Sequence, residues 1–163
     1  MMFELRKCCL LILLVCAASF AAAQEYETAV VVRVKDGDTF VARIGERKET
    51  VRLIGVDAPE TYFNGKVRYD AEESGESQAE LVVKGRAASA FLKTLLPEGT
   101  AVRLEYDKRR RDKYDRLLCY VYIADGTMVN ELLVREGHAI AKRYPPNVRY
   151  HERLRAVEDS KRN

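Results

Sequence analysis

Tryptophan is missing from this chain of 163 residues, histidine occurs twice and proline four times. Cysteine is scarce where it would matter: Cys8, Cys9 and Cys16 fall in an N-terminal apolar run, and only Cys119 stands in the remainder. A single cysteine forms no intramolecular disulfide. With no histidine or second thiol near it in sequence, Cys119 reads as a small buried hydrophobe and not as a nucleophile. His138 and His151 lack metal-ligand spacing, so no zinc-type site is read either. Neither sign of charge dominates. Lys and Arg number 28 against 25 Asp and Glu, a formal net charge of +3, so phosphate could be attracted only where the positive residues cluster.

No apolar run reaches the roughly 20 residues of a membrane-spanning helix. Arg6 and Lys7 precede an apolar stretch from Cys8 to Phe20, and Ala21, Ala22 and Ala23 follow it. That is the layout of a secretory signal peptide. Cleavage near Ala23 is expected, which divides the chain into a signal over residues 1–23 and one domain over residues 24–163. Val15 before Cys16 argues against a lipoprotein signal. The mature protein is then expected to be exported, periplasmic or secreted, with no stable membrane association, and nothing in it requires more than a monomer.

The rest of the chain is ordinary in composition, at 47% apolar and 33% charged residues, with no internal repeat or low-complexity tract, and is long enough to bury one core. Three strands are expected between Ala29 and Val56, turning at Asp36-Gly37 and after Gly45. Residues Val51 to Thr61, V-R-L-I-G-V-D-A-P-E-T, alternate like a strand and then break at Asp57, Pro59 and Glu60, since proline cannot continue a central ladder. If the meander curls, Asp38 comes to lie beside Asp57. Carboxylates fixed at a strand exit near an arginine suit a metal and phosphate site. A solvated loop after an edge strand accounts for this stretch equally well.

Tyr62 to Gln78 reads as a mobile polar loop, and residues 79–96 as a helix with Ala88, Phe91, Leu92 and Leu95 on one face. A fourth strand is expected over Ala101 to Tyr106 and a fifth over Arg116 to Ile123. Between them the charge run from Lys108 to Lys113 reads as a solvated turn or as a patch that steers nucleic acid. Thr127 is the expected N-cap of a short helix ended by Gly137, and Val148 to Ser160 reads as a basic amphipathic helix. Five strands with about three helices suit an α+β, mainly β class: a small barrel with helices packed on it.

Four motifs resemble, in order and spacing, the staphylococcal nuclease (thermonuclease) family: D-G-D-T from Asp36, V-R-L-I-G-V-D-A-P-E-T from Val51, D-K-Y-D-R-L from Asp112 and D-G-T-M-V-N-E-L-L-V from Asp125. The resemblance implies a five-stranded oligonucleotide-binding (OB) barrel and a calcium-dependent phosphodiesterase acting on DNA and RNA and leaving 3′-phosphates. By the same resemblance, Asp38 and Asp57 are the expected Ca²⁺ carboxylates. Ala58, where the founding member has threonine, would contribute its main-chain carbonyl. Glu60 resembles the catalytic glutamate, and Arg52 and Arg116 the two phosphate-contacting arginines. Lys113, Tyr114 and Tyr144 match residues that line the nucleotide pocket, while Lys142 replaces a second tyrosine there. Asp115 replaces a glycine common before the second arginine, so a turn conformation that suits glycine and an ion pair with Arg116 are both expected. The alternative is a catalytically silent OB module that binds nucleic acid or protein. Such a binder has no need for Asp38, Arg52, Asp57, Glu60 and Arg116 together.

Overall fold

The computed structural model describes residues 26–161. The expected signal segment lies outside them, as do the three cysteines it contains. In chain order the elements are β1 (Tyr26–Asp36), β2 (Thr39–Ile44), β3 (Arg47–Leu53), β4 (Val56–Asp57), α1 (Gly65–Ser74), α2 (Gln78–Leu95), β5 (Ala101–Arg111), β6 (Leu117–Tyr122), α3 (Val129–Arg135), β7 (Ile140–Ala141) and α4 (His151–Asp159). The strands close into a barrel in the order β1-β2-β3-β6-β5. The β3–β6 pair is parallel and the other pairs are antiparallel. A closed five-stranded barrel of this mixed kind has no free sheet edge and is the OB-like, mainly β architecture.

The barrel fills by period-2 alternation. Every residue of β6 is buried, because its two faces have different lids. Leu117, Cys119 and Val121 point into the main core with Phe40, Val51 and Leu104. Leu118, Tyr120 and Tyr122 form a second cluster with Ile54 and Met128 on the outer side. Each fully buried large side chain contributes about 1.5–3 kcal/mol of hydrophobic stabilisation. Helix α2 closes the barrel with Ala88 and Leu92, and α4 adds Leu154. Outside the barrel, Glu105, 1% exposed, ties α4 in place: it accepts from Tyr122 Oη at 2.7 Å and from Tyr150 Oη at 3.1 Å, and pairs with Arg149.

Strand β3 ends where Gly55 adopts φ +77°, in the left-handed region that disfavours any side chain. A Cβ there would also meet Leu154 Cδ1 at 2.7 Å. The kink lets the chain restart as β4, which pairs with β7 through Val56↔Ala141 and Asp57↔Ile140. Asn130, fully buried on α3, pins the same corner: its Nδ2 donates to Ile54 O at 2.8 Å and its Oδ1 accepts from Val121 N at 2.9 Å. Asp57 thus leaves the barrel from a paired strand and not from a free loop.

The structure corrects several expectations. Residues 62–78 are not one long loop: α1 occupies most of them. Asn64 caps its N-terminus by accepting from Val67 N at 2.9 Å, and Gly75 at φ +75° ends it with a bond to Ala71 O. The helix buries only Val67, against Leu81 and Val82 of α2, which is why no apolar stripe announces it. The charge run is not a solvated turn, since β5 continues to Arg111. Arg110 stacks on Tyr106 at 4.0 Å and Arg111 makes two 3.0 Å hydrogen bonds to Glu49. Met128, not Thr127, is the N-cap of α3, and it makes no side-chain cap bond. The described residues carry four helices instead of three.

Candidate active site

Register brings the first carboxylate to the first arginine. Thr39 pairs with Arg52 across β2 and β3, and Leu53 N donates to Asp38 O at 2.9 Å, so Asp38 sits at the head of the hairpin beside Arg52. Asp38 is buried, 3% exposed. Its Oδ1 pairs with Arg52 Nη1 and its Oδ2 accepts from Ala58 N at 3.1 Å. Arg52 Nη2 donates to Asp57 Oδ1 at 3.0 Å. Asp38, Arg52, Asp57 and Ala58 therefore form one connected network across the start of β2, the end of β3 and β4. The curl expected from the sequence is present, and Arg52 is its centre.

Burial lowers the pKa of Arg52, with the nearby charge of Arg116 acting in the same direction and those of Asp57 and Glu60 opposing it. A guanidinium stays protonated throughout the ordinary pH range in any case. What matters is that Arg116 and Glu60 both stand near enough to act electrostatically on Arg52. Arg116 precedes β6, whose parallel register with β3 (Val51↔Leu117, Arg52↔Leu118) sets it beside Arg52.

Asp112, not Asp115, is the partner of Arg116. Its Oδ2 accepts from Arg116 Nε at 2.7 Å, while its Oδ1 accepts from the main-chain nitrogens of Tyr114 at 2.9 Å and Arg116 at 3.0 Å. Burial works against the Asp112 carboxylate, but these bonds and the Arg116 charge outweigh it and hold its pKa below the ordinary value. Asp115 does take the left-handed conformation, φ 63°, but its carboxylate points to Arg111 Nη1 at 3.3 Å. Asp112 was legible as part of a motif, yet nothing in its spacing marked it as the group that aims Arg116.

Tyr114 is 67% exposed, with Lys113 Nζ 4.9 Å and the Arg116 guanidinium 5.5 Å from its ring centre. An exposed ring flanked by two cations can take a stacked base and its phosphate. Tyr144 packs against the outer cluster and bridges to Asn147, whose buried side chain is bonded to the main chain of Arg109. Ring contacts therefore join Lys113, Tyr114 and Arg116. Lys142 lines a cavity of about 460 Å³ with Asp57, Pro59, Lys66 and His138.

Sequence reading missed two residues at the start of α1, its N-cap Asn64 and Lys66. Asn64 Nδ2 donates to Glu60 Oε2 at 3.1 Å. Lys66 Nζ lies 2.8 Å from Asp70 Oδ2, 3.4 Å from Asp57 Oδ2 and 4.0 Å from Glu60 Oε1. Burial disfavours the Lys66 ammonium, but the bond to Asp70 and the charges of Asp57, Asp70 and Glu60 outweigh it and raise its pKa. Gly85 on α2 was also missed. A Cβ at that position would fall 2.1 Å from Glu60 O, so only a glycine lets the Pro59–Glu60 main chain lie on the helix.

Two aspartates and a neighbouring main chain make a hard-oxygen donor set, the kind that suits Ca²⁺ and leaves room for water or phosphate oxygens. Among the described residues no three His, Cys, Asp or Glu side chains form a metal-holding group. A cation here would therefore need oxygens from main chain, water or substrate beyond Asp38 and Asp57.

A family model described as staphylococcal nuclease homologue matches residues 50–163. The chain is similar to a thermonuclease of Staphylococcus hyicus, 37% identical over 142 residues, which is 87% of this chain and 75% of that protein. A thermonuclease of Staphylococcus intermedius is 43% identical over 124 residues, 76% of this chain and 65% of the relative. Endonuclease YncB of Bacillus subtilis is 40% identical over 129 residues, 77% of this chain and 54% of its own length. With the closed barrel and the carboxylate–arginine network already in place, these matches show that the chain belongs to the staphylococcal nuclease family.

Proposed function

We propose that this protein is a nuclease: a Ca²⁺-dependent phosphodiesterase that hydrolyses DNA and RNA with low sequence specificity and leaves 3′-phosphate ends. The observation that carries this reading is the single network in which Arg52 joins Asp38 to Asp57 while Glu60 and Arg116 stand within its electrostatic reach. The names of the matched relatives, thermonuclease and endonuclease, agree with it.

Each residue has a task in that reaction. Glu60 takes a proton from the attacking water, a role that suits a partly exposed carboxylate. Arg52 and Arg116 meet the charge that develops on the phosphate oxygens, and their paired donors match paired acceptors. Asp112 keeps Arg116 aimed. Asp38 and Asp57, with the Ala58 carbonyl, would hold Ca²⁺, which when bound supplies polarisation of the phosphate. Tyr114 stacks a base beside the phosphate, with Lys113 adding a cation, and because every base has a flat face such stacking is tolerant of sequence. Tyr144 is assigned to the far wall of the same pocket.

The apolar stretch from Cys8 to Phe20 and the alanines after it support export, with residues 24–163 as the mature domain acting as a monomer in the periplasm or outside the cell. No helix among the described residues is long and apolar enough to cross a membrane. The test is cleavage of single-stranded DNA and RNA by the purified protein with Ca²⁺ and with chelator, beside Glu60→Gln. Cleavage that requires Ca²⁺, ends in 3′-phosphates and falls by about 10²-fold or more in the variant is expected. Tight binding without cleavage by the folded wild type would instead favour a catalytically silent binding module.

A further inference from the structure

Asn64 does two things with one side chain. Its Oδ1 accepts from Val67 N at 2.9 Å and so caps α1, while its Nδ2 donates to Glu60 Oε2 at 3.1 Å. The start of α1 and the carboxylate of Glu60 are thus joined through a single amide. The main chain of Glu60 is fixed separately, from α2: Gly85 allows the close approach, and Arg86 Nε donates to Thr61 O at 3.4 Å. Between these anchors the chain turns outward, leaving Tyr62 and Phe63 60% and 62% exposed.

A glutamate side chain has three torsions, and its last, carboxylate torsion is broad. Glu60 is 21% exposed, and its nearest ammonium, Lys66 Nζ, stands 4.0 Å from Oε1, beyond hydrogen-bond range. The bond from Asn64 is therefore the one direct hydrogen bond that fixes its carboxylate among the described residues. It occupies one lone pair of Oε2 and leaves the remaining acceptor sites open to water.

We propose that Asn64 is a positioning residue for Glu60: by tying the carboxylate to the capped end of α1, it sets the orientation in which Glu60 meets the attacking water. This rests on the phosphodiesterase reading above. It also gives α1 a place in the reaction, through Asn64 and without contact to the phosphate.

Capping and positioning separate by substitution. Asn64→Asp keeps a strong N-cap acceptor but removes the donor and sets a carboxylate against Glu60. Asn64→Ser also caps well but is too short to reach Oε2, and it adds no charge. If Asn64 only caps α1, both variants cut like wild type. We expect kcat on single-stranded DNA to fall about tenfold or more in both, with KM within about twofold and the Val67 amide as slow to exchange with solvent as in wild type. A second readout needs neither metal nor substrate: in the apo protein, Glu60→Ala should shift the Asn64 side-chain amide resonances while leaving Val67 in place. Wild-type kcat in both folded variants, or an Asn64 amide indifferent to Glu60→Ala, would overturn the proposal. An inactive wild type would instead overturn the phosphodiesterase reading, and the positioning role with it. Failure of the positioning idea alone is recognised by an active wild type with equally active variants.

Discussion

Gly85 lies against Glu60 so closely that the missing Cβ is the contact: an added methyl would stand 2.1 Å from Glu60 O and 2.5 Å from its carbonyl carbon. Backbone, unlike the end of a flexible side chain, cannot step aside cheaply. Gly85→Ala should gain up to about 1 kcal/mol of helix propensity and lose about 1–3 kcal/mol or more to overpacking. The net expectation is destabilisation, with cleavage lost more than proportionally because the displaced segment carries Glu60. Urea denaturation and single-turnover cleavage on the same preparation check this. A variant as stable and active as wild type would show that the turn can shift without cost.

Asp112 yields a prediction with a sign in pH. Its folded pKa lies below the ordinary carboxylate value, so at neutral pH it contributes stability that is present above the unfolded pKa of about 3.9 and is lost as pH falls through the lower folded value. Asp112→Asn should remove that contribution, leaving a variant less stable than wild type at pH 7 whose deficit shrinks below about pH 4. It should also loosen Arg116, lowering kcat about tenfold, since the Nε bond is the one that aims the guanidinium. Denaturation midpoints from pH 3 to 7 and steady-state kinetics separate the two effects. A deficit that does not change with pH would count against the ionised role.

Cys119 should be inert in the folded protein. It is fully buried, and burial pushes its thiol pKa well above the ordinary value, with the charge of Glu27 acting in the same direction. A thiol kept protonated and out of reach reacts neither with disulfide reagents nor with alkylating agents. Titration of the mature protein with a chromogenic disulfide should give no fast reaction until denaturant is added, and then one equivalent. Fast reaction in buffer would mean that β6 opens far more readily than its burial implies.

How much of this was legible follows from where each residue gets its orders. The barrel strands announce themselves by β-branched alternation between turn signals, so Asp38, Arg52 and Asp57 could be expected together before any coordinates. Their convergence depends on the Thr39↔Arg52 register, which the two-residue hairpin turn at Gly45-Glu46 sets locally. Helix α1 gave no such signal: with one buried residue, Val67, it is held by its caps and by the Lys66–Asp70 pair. Asn64 and Lys66 were invisible for that reason, since their importance comes from Glu60 and Asp57, contacts made in space and not in sequence period. Asp112 was hidden differently. The sequence offered two acids near Arg116, and the left-handed turn at Asp115 is what directs the nearer one away.

Lys66 supplies the last prediction. Arg52 takes Oδ1 of Asp57 at 3.0 Å, and the ammonium of Lys66 stands 3.4 Å from the other oxygen, Oδ2. In the proposed site that second oxygen is the one free to face a divalent cation, so Lys66 is a resident positive charge where an incoming one must sit. Lys66→Met keeps the length of the side chain and removes the charge. Because the side chain is 37% exposed, solvent screens much of the repulsion, leaving about 0.2–1 kcal/mol. That corresponds to Ca²⁺ binding up to about fivefold tighter in the variant. Calorimetric titration of Ca²⁺ into both apo proteins reads this without catalysis. Weaker binding in Lys66→Met would mean that the lysine holds Asp57 in the geometry the cation needs, and that its charge is part of the site's assembly and not its competitor.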